Sequence, residues 1–156
     1  MKIGDRYIGE DNPCFIIAEL SANHNGDLNV AIETIRAAKK AGADAIKLQT
    51  YTPDTLTIDC NNEYFKIDGG TLWDGKTLYE LYGEAYTPWS WHNQLFEVAR
   101  EEGLICFSSP FDATAVDFLE KFNVPAYKIA SFEIQDIPLI TYTASKGKPI
   151  IISTNS

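Results

Sequence analysis

The chain has 156 residues, 13 of them Lys or Arg and 22 Asp or Glu, for a formal charge of −9 and a pI near 4.6. Apolar residues at 45% and charged residues at 22% provide for one core and exclude intrinsic disorder. The acidic balance argues against general binding to nucleic acid or an anionic membrane, which need a cationic face, so any anionic ligand must be held by cations that are local and few.

Residues 1–11 contain no apolar stretch of signal-peptide length, and the longest apolar runs, Cys14–Ala18 and Ile150–Ile152, are too short to span a bilayer. Cys14, Cys60 and Cys106 form no CxxC pair and are odd in number, which reads as reduced thiols rather than a disulfide framework. A cytoplasmic protein is expected.

In chain order, the first strand is predicted at Phe15–Ala18. Asp27 reads as the N-cap of a helix with Leu28, Ala31, Ile32, Ile35 and Ala38 on one stripe and Gly42 as its stop. A second strand is predicted at Ala45–Gln49. The segment Tyr51–Tyr86 that follows is long for a connection and is a candidate lid or binding loop. Thr77–Glu84 within it reads as helical, and residues 69–75 present Trp73 between glycine hinges. Thr87-Pro88 reads as an N-cap with Pro at N1, opening a helix that carries Trp91, Leu95, Phe96 and Ala99 and stops at Gly103. A third strand is predicted at Leu104–Phe107, then a helix from Asp112 burying Val116, Leu119 and Phe122, and a fourth strand at Ala126–Ile129. A helix from Asp136 to Gly147, with Pro138 in its first turn, leads to a fifth strand at Pro149–Ser153.

These strands are short and mostly apolar throughout, as parallel strands covered on both faces must be. Strand–helix–strand order repeated without a hairpin signal predicts an α/β fold built of βαβ units around a parallel sheet. A flavodoxin-like open sheet and a (β/α)8 TIM barrel both fit. Ala18–Gly26 is not the GxGxxG turn of a dinucleotide fold. A whole barrel takes about 250 residues, so on the barrel reading this chain is truncated to about the first five βα units.

Polar groups recur where the strands end. Glu19 follows the first, Lys47 and Gln49 share one face of the second, and Ser108 and Ser109 follow the third. Lys128 lies in the fourth, which exits through Ser131 and Glu133, and Ser153 and Thr154 end the fifth. Ligands of parallel α/β proteins sit at the C-terminal strand ends, where the loops converge, so two lysines and several hydroxyls at one rim read as a cradle for phosphate or carboxylate. A lone strand lysine ordinarily snorkels to water, but two lysines with apolar neighbours each call for an anion. That anion is either a ligand or, on the structural alternative, the carboxylates of Glu19 and Glu133. His24 reads as a hydrogen-bonding scaffold ahead of a general acid or base, and His92 as a surface residue. Two histidines and three scattered cysteines spell no metal cluster.

The segments Phe15-Ile-Ile-Ala-Glu-Leu-Ser-Ala-Asn-His-Asn-Gly26, Ala41-Gly-Ala-Asp-Ala-Ile-Lys-Leu-Gln-Thr50, Phe107-Ser-Ser-Pro-Phe-Asp112, Tyr127-Lys-Ile-Ala-Ser-Phe-Glu133 and Ile151-Ile-Ser-Thr154 together resemble the sialic acid synthase family. Gly70–Tyr79 with Glu84–Trp89 is most similar to the family's pseudaminic acid branch. The resemblance implies a (β/α)8 barrel followed by a small antifreeze-like domain that reaches the partner's active site in a homodimer. It implies condensation of phosphoenolpyruvate with an open-chain N-acylated amino sugar, giving a nine-carbon 2-keto sugar acid and phosphate. In the pseudaminic branch the sugar is 2,4-diacetamido-2,4,6-trideoxy-altrose. A divalent metal, Mn2+ or Mg2+, polarises the sugar aldehyde in that family. Carbon 3 of phosphoenolpyruvate attacks the aldehyde, water adds at carbon 2, and phosphate leaves by C–O cleavage.

Position by position, Lys47, Lys128, Ser109, Ser131 and Ser153 match the family's phosphoenolpyruvate contacts, and Gln49 an adjacent polar contact. Glu19 matches an acidic residue that manages water or a proton near carbon 2, and Glu133 lies where the amino sugar should bind. The family's metal ligands are histidines on later strands, outside this chain, and Asn155 follows Ser153-Thr154 where the family has Gly. Residues 1–156 are therefore expected to be the N-terminal portion of a synthase barrel, without the later strands or the antifreeze-like domain, and inactive alone. Two other readings stand beside this one: a Schiff-base aldolase with Lys47 or Lys128 as nucleophile, and a non-catalytic half-barrel assembly module that self-associates through unpaired sheet edges.

Overall fold

The computed structural model describes residues 1–70 and 73–154. Thr71 and Leu72, in the centre of the expected aromatic loop, and Asn155 and Ser156, where the chain departs from the family pattern, lie outside the described residues. The chain opens with a short antiparallel hairpin, β1 (Lys2–Ile3) and β2 (Arg6–Tyr7), which sequence reading missed. Its strands are two residues each, too short to show alternation, and its turn relies on Gly4 at φ +59°.

Five parallel strands follow in one sheet: β3 (Ile17–Glu19), β4 (Ala45–Thr50), β5 (Ile105–Pro110), β6 (Tyr127–Ile129) and β7 (Ile150–Ile152). Their spatial order is their chain order, with no reversal. A flavodoxin-like sheet must reverse at a switch point, whereas a barrel wall advances in one direction, so the topology selects the barrel architecture. The helices are α1 (Leu28–Lys40), α2 (Pro53–Leu56), α3 (Leu78–Ala85), α4 (His92–Glu101), α5 (Ala113–Glu120) and α6 (Ile137–Ala144).

Local chemistry sets the helix ends. The carboxylates of Asp27, Asp112 and Asp136 accept from first-turn N–H groups of α1, α5 and α6, and Thr77 with Glu80 forms a capping box on α3. Thr87 does not cap as expected. Its hydroxyl lies 3.3 Å from His24 Nε2, and Pro88 leads into a 3-10 turn, Trp89–Trp91, ahead of α4. Strand β5 runs on through Ser108-Ser109-Pro110, beyond the expected end at Phe107.

Strand β3 begins later than expected because the backbone at Ile16 is committed elsewhere. Its N–H donates to Asp44 Oδ2 at 2.8 Å, and its carbonyl accepts from Asp44 and Ala45. Asp44 Oδ1 also accepts from Arg6 Nη1 at 2.5 Å, which ties the hairpin to the N-terminal end of the sheet. The Ile16 N–H, chiefly, and Arg6 hold the Asp44 carboxyl below its ordinary 3.8. A depressed carboxyl stabilises the fold above its unfolded pKa, and that contribution is lost as pH falls through the folded value. Asp44→Ala is expected to cost about 1–2 kcal/mol at pH 7, allowing for solvent screening of the half-exposed Arg6. The gap should shrink as pH falls below the ordinary 3.8 and through the lower folded value in urea melts of the two proteins, and a gap independent of pH would overturn this account.

Two buried clusters meet at the sheet. One packs α1 and α4 on Ile46, Leu48 and Cys106; the other joins Phe107, Tyr127 and Ile129 to Val116, Leu119 and Leu139.

Candidate active site

Pleating sends successive residues of a strand to opposite faces, so the register between strands decides which side chains meet. Glu19 pairs with Lys47, Lys47 with Phe107, and Gln49 with Ser109. Ser108 pairs with Tyr127, which aligns Ser109 with Lys128, and Lys128 pairs with Ile151. Glu19, Lys47, Gln49, Ser109 and Lys128 therefore share one face, and Ser153, two residues past Ile151, joins them. Ile46 and Leu48 take the opposite face, against the helices, so the polar set lies on the inside of the barrel wall. Ile17, Ala45 and Ile105 form the row beneath it toward the N-terminal end, an apolar floor under a polar rim.

Lys47 is 5% exposed, and its ammonium sits 3.6 Å from Glu19 Oε2, a loose ion pair. Burial pushes the Lys47 pKa below 10.5, with Glu19 opposing. Lys128 Nζ donates to Ser153 Oγ and, at 2.8 Å, to the Ile129 carbonyl. Burial lowers the Lys128 pKa and the Lys47 charge lowers it further, while Glu19 and Glu133 act in the opposite direction. The two cations thus share one electrostatic environment, and an anion between them would relieve their repulsion.

The hydroxyl of Ser109, a residue 1% exposed, and Glu133 Oε2 are buried with no hydrogen-bond partner among the described residues. An orphaned buried polar atom costs about 1–3 kcal/mol and is rare in native interiors, so two on the side of the lysine pair make this face the candidate for a ligand. Burial raises the Glu133 pKa, against the pull of Lys128. Ser131 opens the 3-10 turn Ser131–Gln135 at the exit of β6, half-buried and without a recorded contact to either lysine. The structural alternative for the lysines is thus half met: Glu19 takes Lys47 loosely, but among the described residues no ion pair joins Lys128 to Glu133.

His24 is fully buried, accepts from the Gly26 N–H at Nδ1 (3.1 Å) and meets Trp91 edge-on at 5.3 Å, the scaffold role expected. His92 is not a surface residue: it is fully buried, 5.2 Å from the Phe118 ring and hydrogen-bonded to Thr50. Its place one turn into a helix gave no sign of this, because α5 covers it from a distant part of the chain. Among the described residues no group of three or more His, Cys, Asp or Glu converges as a metal site.

A NeuB family model matches residues 34–155. The chain belongs to the NeuB family. Over 154 residues this NeuB chain is 56% identical to pseudaminic acid synthase of Campylobacter jejuni, covering 99% of the chain and 44% of that protein. It is 55% identical over 142 residues to pseudaminic acid synthase of Helicobacter pylori, covering 91% of the chain and 42% of that protein. The crystal structure of an N-acetylneuraminic acid synthetase from Leptospira borgpetersenii, in complex with citrate, superposes with a TM-score of 0.83 at 31% identity, covering all of this chain and 50% of that one. The NeuB chain thus spans half or less of the length of these relatives.

Sequence reading of this NeuB chain missed one buried polar set, Thr50, His92 and Ser108, on the helix side of the sheet. Strict alternation along β4 and β5 was the available signal: if Gln49 and Ser109 face inward, Thr50 and Ser108 must face the helices.

Proposed function

We propose that the inner face of the sheet binds phosphoenolpyruvate, in a protein that condenses it with an N-acylated amino sugar to give a nonulosonic acid and phosphate. The observation that carries this reading is the convergence of Lys47, Lys128 and the orphaned Ser109 hydroxyl on one face of an acidic protein. Kinship with two pseudaminic acid synthases supports 2,4-diacetamido-2,4,6-trideoxy-altrose as the sugar.

Each residue has a defined task on this reading. Lys47 and Lys128 neutralise the phosphate and carboxylate and hold charge as phosphate leaves. Ser109, Ser131 and Ser153 donate to the anion's oxygens, and Gln49 contacts it from the adjacent position. Glu19, at the exposed end of β3 and beside Lys47, handles the proton of the water that adds at carbon 2. Glu133 faces the amino sugar. The resemblance implies a divalent Mn2+ or Mg2+ ion, but the described residues do not form a centre for one. The remaining barrel strands, the antifreeze-like domain and the homodimer are further parts of the proposal, as is a cytoplasmic location. Among the described residues no helix is long and apolar enough to cross a membrane.

Titration calorimetry tests the reading. Phosphoenolpyruvate is expected to bind at least about tenfold more tightly than pyruvate, since phosphate adds charge-assisted hydrogen bonds. Borohydride treatment with pyruvate is expected to leave the protein mass unchanged. Equal affinities would remove the phosphate site, and a reduced adduct on Lys47 or Lys128 would establish the aldolase reading instead. The 156-residue chain alone is expected to bind without turnover.

A further inference from the structure

Six residues, Thr87–His92, reach three successive parts of the strand rim. The Thr87 hydroxyl meets His24 Nε2 in the loop after β3, and Trp89 Nε1 donates to the Tyr51 carbonyl, just past β4, at 3.1 Å. His92 Nε2 lies 2.8 Å from Thr50 Oγ1, the last residue of β4, and Thr50 Oγ1 lies 2.7 Å from Ser108 Oγ in β5. Trp89 also stacks on Phe118 of α5 with ring centroids 4.6 Å apart.

The hydrogens of this network follow from chemistry alone. His92 Nδ1 faces the Pro88 carbonyl at 3.3 Å, and a carbonyl only accepts, so Nδ1 carries the hydrogen. Burial pushes the ring's pKa down to about 4, so the imidazole is neutral at pH 7 and Nε2 is an acceptor. Thr50 must therefore donate to Nε2, and Ser108 must donate to Thr50. The result is a one-way chain, Ser108 to Thr50 to His92 to Pro88, with Thr50, His92 and Ser108 all fully buried.

Each strand member of the chain adjoins a proposed ligand contact on the other face. Thr50 follows Gln49 and Ser108 precedes Ser109, and Gln49 and Ser109 are register partners. We propose that Thr87–His92 is a positioning clamp: through the His92–Thr50–Ser108 chain it fixes the C-terminal ends of β4 and β5 and so aims Gln49 and Ser109 at the anion. Trp89 and Thr87 extend the same hold to Tyr51 and to the loop that follows Glu19. The clamp also sits where the long segment 51–86 rejoins the body, so the start and the end of that segment are fastened together. None of its members touches the ligand; they act through the two residues they place. The inference rests on the anion-site reading of the inner face.

Thr50→Val tests it, because valine matches the shape of threonine and cuts the chain at its centre; Thr50→Ser keeps the hydroxyl. In Thr50→Val, phosphoenolpyruvate affinity is expected to fall about tenfold, and amide exchange across residues 105–111 to accelerate about tenfold, the scale of one broken buried hydrogen bond. Thr50→Ser is expected to restore both. A folded Thr50→Val protein with unchanged affinity and exchange would overturn the clamp. Should Thr50→Val fail to fold, Ser108→Ala, which removes only the terminal donor, decides by the same two readouts. Wild-type protein that does not bind phosphoenolpyruvate would sink the anion reading, and exchange would then decide the clamp independently. Ring nitrogen NMR supplies a further check: the Nδ1–H tautomer is expected for His92 at pH 7, and the Nε2–H tautomer would refute the assigned direction.

Discussion

Lys47→Met is expected to weaken phosphoenolpyruvate binding on the order of 100-fold while leaving the folded protein as stable as before, or more so. Removing one partner of a desolvated charge pair costs about 2–5 kcal/mol of binding, and each 1.4 kcal/mol is about tenfold in affinity. Stability moves in the other direction because a lysine only 5% exposed, with one loose ion pair, has not recovered the desolvation cost of its charge. Glu19 is not stranded by the change, since its side chain is 55% exposed and stays hydrated. Met fills much of the volume of the lysine stem and removes the charge.

The pH dependence carries its own sign. The folded-state pKa of Lys47 lies below 10.5, so between that value and 10.5 the unfolded chain binds more protons than the native one. Wild-type stability therefore rises with pH across this interval. The stability advantage of Lys47→Met should be full below the folded pKa and shrink as pH approaches 10.5. Calorimetric titration together with urea melts at pH 7 and pH 10 measures both halves. A variant that loses binding and stability together would show that Lys47 is a structural ion-pair residue, and one that keeps its affinity would remove it from the site.

Phe107→Ala is expected to cost about 3–5 kcal/mol, as for other buried aromatic truncations. Domains of this size have about 5–15 kcal/mol in total, so the urea midpoint should fall steeply. Phe107 is fully buried beside Lys47 in register and belongs to the cluster with Val116, Leu119 and Leu139. It is the register partner of Lys47, so its removal is expected to loosen β5 beside that lysine. Phosphoenolpyruvate affinity should fall with it in whatever fraction stays folded. Phe107→Leu is expected to keep most of both, at a cost of about 1–2 kcal/mol. A loss under about 1 kcal/mol for Phe107→Ala would mean that the strand relaxes into the space, and that the inner face is not a packed floor.

The candidate site was legible in sequence to an unusual degree, because its residues stand at strand ends, where a charged side chain among apolar neighbours is conspicuous. Lys47 and Gln49 could be put on one face of β4 from alternation alone. Whether Lys128 shared that face could not be read, since that depends on the single register contact that pairs Ser108 with Tyr127. Thr87 looked like a helix cap because Thr-Pro is a common opening, yet His24, sixty-three positions earlier, holds its hydroxyl. His92 looked exposed because its burial comes from Phe118 and Phe122, which no local pattern connects to it.

Residue order by itself determined the alternation of strands and helices, the aspartate that opens each of α1, α5 and α6, and the presence of one lysine in each of two apolar strands of an acidic chain. All of these are local: a cap needs the next three residues, and a strand's apolar run needs only its own length. Tertiary structure alone decided the barrel-like strand order, the common facing of Lys47 and Lys128, and the buried chain from Ser108 to His92. These depend on how separate strands slide against one another. One residue of slippage turns every side chain of a strand to the opposite face, and local sequence does not specify that choice.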